Sequence, residues 1–271
     1  MAMASALLLA MTTSSARAQT TDTFTGGLNS SLGTAGNWTG GLPTAGQAWW
    51  MTTASGTITD DLGAGIWTSG ITFGPTAGAL TIATGSNTIL TLGGNLINLS
   101  GVTDSFASNL TIALTSSLNV ITQGAGNLVI NSTISGAGLG INKYGSGTLT
   151  LTGQNTYTGA TTVSSGVLAL DFSAAGAPTT NIVSSNSALQ LAGGSVSMIG
   201  AAAATTQTFN GVTVGAGAST LTITGGVGGI TVGLGALTHS AGGVLNFALS
   251  GTNTVTTSNT NLANGLLGGG Y

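Results

Sequence analysis

The chain has 271 residues, of which only 3% are charged, against about 25% in an ordinary soluble domain. The two basic residues, Arg17 and Lys143, leave no patch that could release counterions from a nucleic acid. Glycine is abundant at 47 but follows no collagen period and comes with only 3 prolines, and 41% apolar residues are too many for a disordered chain.

The first 18 residues read as an export signal. A short apolar run, Ala4 to Met11, leads to Ala16-Arg17-Ala18, a small-residue pattern that places the cut after Ala18. The run is too short to span a bilayer, and no Lys or Arg precedes it. The absence of cysteine suits a chain that crosses a periplasm unfolded. Residues 19–55 differ in character from the rest of the chain. They hold Trp38, Trp49 and Trp50 and the turn-prone Gly40-Gly41-Leu42-Pro43. Terminal repeats of a stacked array are atypical because they close the core, so this segment is expected to be an N-terminal cap.

From residue 56 to 271 short alternating strands recur between Gly, Asn, Ser and Asp turns. Leu80-Thr81-Ile82, Leu128-Val129-Ile130, Leu149-Thr150-Leu151, Leu189-Gln190-Leu191 and Leu221-Thr222-Ile223 are examples. Each puts two apolar side chains on one face and a third residue on the other, most often a polar one. Glutamate is missing, lysine and arginine are nearly so, and Thr and β-branched residues dominate, which disfavours helix. Strands this short, turned by residues that tolerate left-handed backbone, predict an all-β chain folded as a right-handed parallel β-helix. At roughly 20 residues per coil the rod would be on the order of 50 Å long. Low charge agrees with the stacking: like residues lie above like, and rows of Thr, Ser and Asn can bond where rows of charges would repel. The end, Leu266 to Tyr271, stops in mid-pattern, so the chain is expected to be truncated there.

Residues 143–170 carry an ordered motif: Gly145, Gly147, Leu149, Leu151 and Gly153, then Asn155, Tyr157 and Gly159, then Thr161, Val163, Gly166 and Leu168. This stretch resembles the autotransporter-associated β-strand repeat, also called the passenger-associated transport repeat, with Ala160 where a second Gly is common and Val167 where Thr is. The resemblance implies a bacterial surface or secreted passenger, exported with the help of an outer-membrane β-barrel translocator that this chain lacks. On physical grounds Leu149, Leu151, Val163, Leu168 and Leu170 are expected to point inward, and Gly153, Asn155 and Gly159 to form corners. Tyr157 is expected to pack outside a corner or to close a coil. The whole makes a stable coil able to nucleate folding after secretion.

Candidates for chemistry are few. Asp60 and Asp61 are adjacent, so on a strand their carboxylates diverge. Asp104 and Asp171 fit strand ends, where Asp bonds backbone amides. His239, the one histidine, has no carboxylate or thiol nearby in sequence and reads as a turn or surface residue, and Lys143 reads as a solvated charge. No nucleophile elbow, P-loop, dinucleotide fingerprint or zinc-protease motif is present. Gly225 to Gly229 is similar to a calcium-binding nonapeptide but lacks its Asp. No catalytic, cofactor or metal residues are therefore assigned. The expected function is an exported structural or adhesive passenger segment that is not an enzyme, meeting a glycan or another cell-surface ligand. Two alternatives are weaker. A polysaccharide-binding or polysaccharide-acting β-helix protein would need its active part outside this chain. An outer-membrane barrel would need strands of roughly 9 to 11 residues and aromatic girdles.

Overall fold

A computed structural model describes residues 21–26, 31–52, 55–62, 67–85 and 88–259. The export signal expected at 1–18 and the chain end from Leu266 lie outside these residues.

The described chain winds into a parallel β-solenoid of about nine turns. Every pairing between its strands is parallel, and each strand lies beside its equivalent one coil later. One sheet runs from Thr21–Phe24 through Ala48–Met51, Ile141–Tyr144 and Thr161–Val163 to Leu237–His239. A second runs from Gly56–Asp60 through Thr148–Leu151 and Val167–Asp171 to Gly243–Ser250. A third, short face joins Thr205–Thr208, Ile230–Gly233 and Thr254–Thr256. In earlier coils the strand Ile89–Asn98 serves two faces at once: its first half pairs with Thr111–Leu114 and its second with Leu118–Thr122.

The coils are longer and less regular than 20 residues. Thr161 follows its partner Ile141 by 20, but Leu189 follows Thr161 by 28. Strands keep register because the inward row is continuous, whereas the corners absorb insertions at little entropic cost. With one coil every 4.8 Å or so, the first sheet spans about 43 Å.

The core is a set of axial rows. Ile82, Phe106, Ile130, Leu151, Leu170 and Met198 stack along the second sheet, all fully buried. No coil could bury its own side of such a row alone, so stability is shared between neighbours.

The first described strand has further chain packed beside it. The Asn37–Thr39 backbone lies antiparallel beside Thr21–Phe24, with Thr25 N–H bonded to Asn37 O at 2.7 Å and Thr39 N–H to Thr23 O at 3.0 Å. The free edge of the first strand is thereby covered, which guards against edge-to-edge pairing. Above it Phe24, Trp38 and Trp49 make successive edge-on ring contacts, with centroids 5.1 and 5.8 Å apart. Asp22 accepts bonds from Thr39 Oγ1 and Gly40 N–H. Toward the other end of the described residues Val244, Phe247 and Leu249 are 43–52% exposed, and Phe247 and Leu249 border a concavity lined also by Leu234, Leu237 and Val255.

Candidate functional site

The motif of residues 143–170 occupies the coil that begins with Ile141–Tyr144 and runs through the first two strands of the next coil. Ile141–Tyr144 lies between Leu118–Thr122 and Thr161–Val163 in the first sheet. Thr148–Leu151 lies between Asn127–Ile130 and Val167–Asp171 in the second. Leu149, Leu151, Val163, Leu168 and Leu170 are fully buried, each on an inward row.

The corners explain the glycines. Gly145 and Gly166 both have positive φ, at 79° and 66°, and they stack one coil apart. A Cβ at Gly166 would run into the carbonyls of Gly145 and Gly147. Gly147, Gly153 and Gly159 similarly face backbone of the preceding coil with no room for a side chain. Thr161, the motif's first residue in the next strand, is buried and bonds Ser187 Oγ at 3.0 Å.

Asn155 works as a piece of backbone. Its Oδ1 accepts from Ile134 N–H at 2.8 Å, while its Nδ2 donates to Gly153 O at 3.0 Å and to Ile182 O at 2.8 Å. One buried side chain thus ties three coils together where no strand exists to do it. Gln207 repeats the device, bonding both Val183 N–H and Val183 O.

Two expectations need correction and one is narrowed. Of the two placements expected for Tyr157 the structure has the second: it closes the coil, from within, fully buried in the core with its hydroxyl 2.8 Å from Thr161 Oγ1, and burial pushes the phenol well above its usual range. Lys143 is not a solvated charge. It occupies the inward row between Val120 and Val163 and is fully buried. Its ammonium donates to the carbonyls of Tyr144 at 2.8 Å, Gly145 at 3.0 Å and Ser165 at 3.3 Å. Burial lowers its pKa to about 8. The alternation of Ile141-Asn142-Lys143-Tyr144 held the signal: Ile141 faces in, and Lys143 shares its face.

The second correction concerns Asp104, which bonds a backbone amide as expected but stands second in Thr103–Phe106 rather than at its end, facing inward beside Leu128. It accepts from Leu80 N–H at 2.8 Å, Ser100 Oγ at 2.8 Å and Asn98 Nδ2 at 2.9 Å. Burial raises its pKa against the pull of those bonds. The other carboxylates are dispersed along the rod and bonded to backbone amides. Asp60, buried at the end of its strand, is raised to about 6 by burial, with neighbouring Asp61 adding to the effect. Asp61 turns the other way to accept from Gly33 N–H and Ser31 Oγ. Asp171 accepts from Ser173 N–H at 2.9 Å. His239 ends the strand Leu237–His239, with Nδ1 3.2 Å from Ser240 O. Among the described residues no three of His, Cys, Asp or Glu gather as metal ligands, and no helix is long and apolar enough to cross a membrane.

Sequence reasoning also missed a ladder on the outside of the first sheet. Asn95, Asn119 and Asn142 stack in register, Asn119 Nδ2 bonding Asn95 Oδ1 at 2.9 Å and Asn142 Nδ2 bonding Asn119 Oδ1 at 3.0 Å. The recurrence of Asn at spacings of 24 and 23 residues was its signature.

Comparison with known proteins meets this geometry at the same place. Residues 141–170 match the family model of the passenger-associated transport repeat. The chain is also 35% identical over 107 residues to the adhesin BmaC autotransporter of Brucella suis biovar 1 (strain 1330). That match covers 39% of this chain and 3% of the much longer relative. No solved structure matches.

Proposed function

We propose that this chain, which carries the passenger-associated transport repeat on a parallel β-solenoid, is an exported adhesive segment of an autotransporter-type bacterial surface protein. The observation that carries the reading is the coincidence of the repeat with one coil and the first two strands of the next, closed at its corners by Lys143, Asn155 and stacked glycines. Such a coil adds directly to the end of a growing rod, which suits a passenger that folds as it emerges. An outer-membrane β-barrel translocator would be supplied by sequence other than these strands. The role is binding and display rather than catalysis, since the dispersed carboxylates are engaged by backbone amides. The ligand is one found on another cell or its matrix.

Ser185 and Asn186 form an exposed loop between strands, so an epitope inserted after Ser185 tests the reading. Expressed within its natural reading frame, the epitope should be removed by protease added to intact cells. An epitope released only after the envelope is opened would reject surface display.

A further inference from the structure

The outer face of the first sheet breaks the inward-apolar, outward-polar alternation in consecutive coils. Leu96-Ile97 and Val120-Ile121 are apolar on both faces, a pattern expected of strands covered on both sides. The outward members lie in one axial row: Trp50 pairs with Thr72, Thr72 with Ile97, Ile97 with Ile121, and Ile121 with Tyr144. Ile121 is 3% exposed between its neighbours and forms a packed floor, while Trp50 and Tyr144 at the two ends are half-buried. The row is four coil steps long, or about 19 Å.

The amides of Asn95, Asn119 and Asn142 lie two residues away along the same strands and therefore on the same face, forming a rim beside the floor. Asn142 spends one donor and Asn95 one acceptor on the ladder, and Asn119 between them spends one of each. An amide nitrogen has two donors and its oxygen two lone pairs, so capacity remains on every rung, repeated once per coil.

We propose that this stripe, Trp50 to Tyr144 with the Asn95–Asn119–Asn142 rim, is a binding site for an uncharged, linear polysaccharide lying along the rod axis. The proposal rests on the adhesive reading and names its ligand class. A pyranose presents an apolar C–H face to an aromatic ring or aliphatic floor and hydroxyls at its edge to amides, and it repeats along an extended chain at close to the coil spacing. The two outward rows hold no ionised group, and Lys143 in the middle of the sheet turns inward. An anionic polymer therefore finds no cation here. A peptide strand would pair with a sheet edge, and the edges of this sheet are at the ends of the rod, not on its face.

The test titrates the full 271-residue chain by calorimetry with cello-, manno- and xylo-oligosaccharides of roughly four to six units, enough to span the stripe. Polygalacturonate serves as the anionic comparison. At least one neutral series should bind with a Kd between about 1 μM and 1 mM. Asn119→Asp, which puts a charge in the rim, and Tyr144→Ala should each weaken it by about tenfold or more. Thr213→Asp, exposed on the same sheet three coils away, should leave it unchanged, and all three variants should keep the parent's circular dichroism. Binding unaffected by Asn119→Asp and Tyr144→Ala, binding only of the anionic polymer, or none at all would overturn the site. So would a concentration-dependent dimer abolished by these same two substitutions, which would assign the stripe to a second copy of the chain. Bacterial adhesion measured in parallel separates the two ideas: adhesion that survives both substitutions rejects the glycan stripe alone, and an absence of adhesion by the parent rejects the adhesive reading.

Discussion

Lys143 shows how one residue can be apolar in its stem and polar at a single point. Its methylenes continue the row from Val120 to Val163, and its ammonium fills the inside of the corner made by Tyr144, Gly145 and Ser165. Its hydrogen bonds run to carbonyls alone. Removing the donor leaves three carbonyls to find other partners, while replacing it with an acceptor sets like dipoles against one another in a desolvated place. Lys143→Met should therefore cost about 1–3 kcal/mol. Lys143→Glu should cost more than about 4 kcal/mol, beyond the range of ordinary substitutions. Denaturant titration of the two variants checks the order, and equal losses would mean that the carbonyl contacts contribute nothing. The strand's alternation made the inward direction of Lys143 readable, but a lone lysine in a nearly uncharged chain invites assignment to the solvent. Only the stacked coils supply the carbonyls that make burial tolerable.

At the scale of the element, the strands are short because the corners do much of the binding. Thr148–Leu151 has four residues and Thr161–Val163 three, and the nine residues between them form no strand. Through that gap the ladder is continued by Asn155, which bonds the preceding coil at Ile134 and the following one at Ile182. Asn155→Ala would take the acceptor from the buried Ile134 N–H and the side-chain donor from Gly153 O, while Ile182 O keeps the backbone N–H of residue 155, and a loss of about 1–3 kcal/mol is expected. The measurement is the thermal unfolding midpoint. Gly166→Ala offers a second check on the same coil, since it combines a left-handed backbone with a clash against Gly145 and Gly147. The motif's spacing made the corners at Gly153, Asn155 and Gly159 legible. The inward turn of Tyr157 was not, because the partner of its hydroxyl, Thr161, is fixed by how the coil closes.

For the whole molecule the two ends differ. At the N-terminal end the backbone of Asn37–Thr39 runs beside the first described strand and the rings of Trp38 and Trp49 pack edge-on. At the other end Val244, Phe247 and Leu249 are exposed, and the side chain of Asn259 pairs with both N–H and C=O of Leu237 in the manner of a strand. In a linear array each coil is held by its neighbours, so opening starts where burial is least. Amide hydrogen exchange should be slowest in 118–170 and fastest in Gly243–Ser250, most of whose residues are exposed. Uniform protection along the rod would show instead that it opens as one unit.

The sequence by itself determined the fold class, the direction of most side chains and the place of the repeat. A period of two in apolar residues, interrupted by Gly and Asn, admits few structures, and Leu149, Leu151 and Leu168 carry it without ambiguity. The tertiary structure decided what lies beside what. Coil lengths vary, with 20 and 28 residues in successive steps, so the spacings of 24 and 23 between Asn95, Asn119 and Asn142 identify a ladder only once the register is known, and the same holds for Trp50, Ile97, Ile121 and Tyr144. Register between coils is set by which inward rows pack without voids, a property of all the coils together. The outer stripe, the buried ammonium and the carboxylate at Asp104 are all consequences of that register.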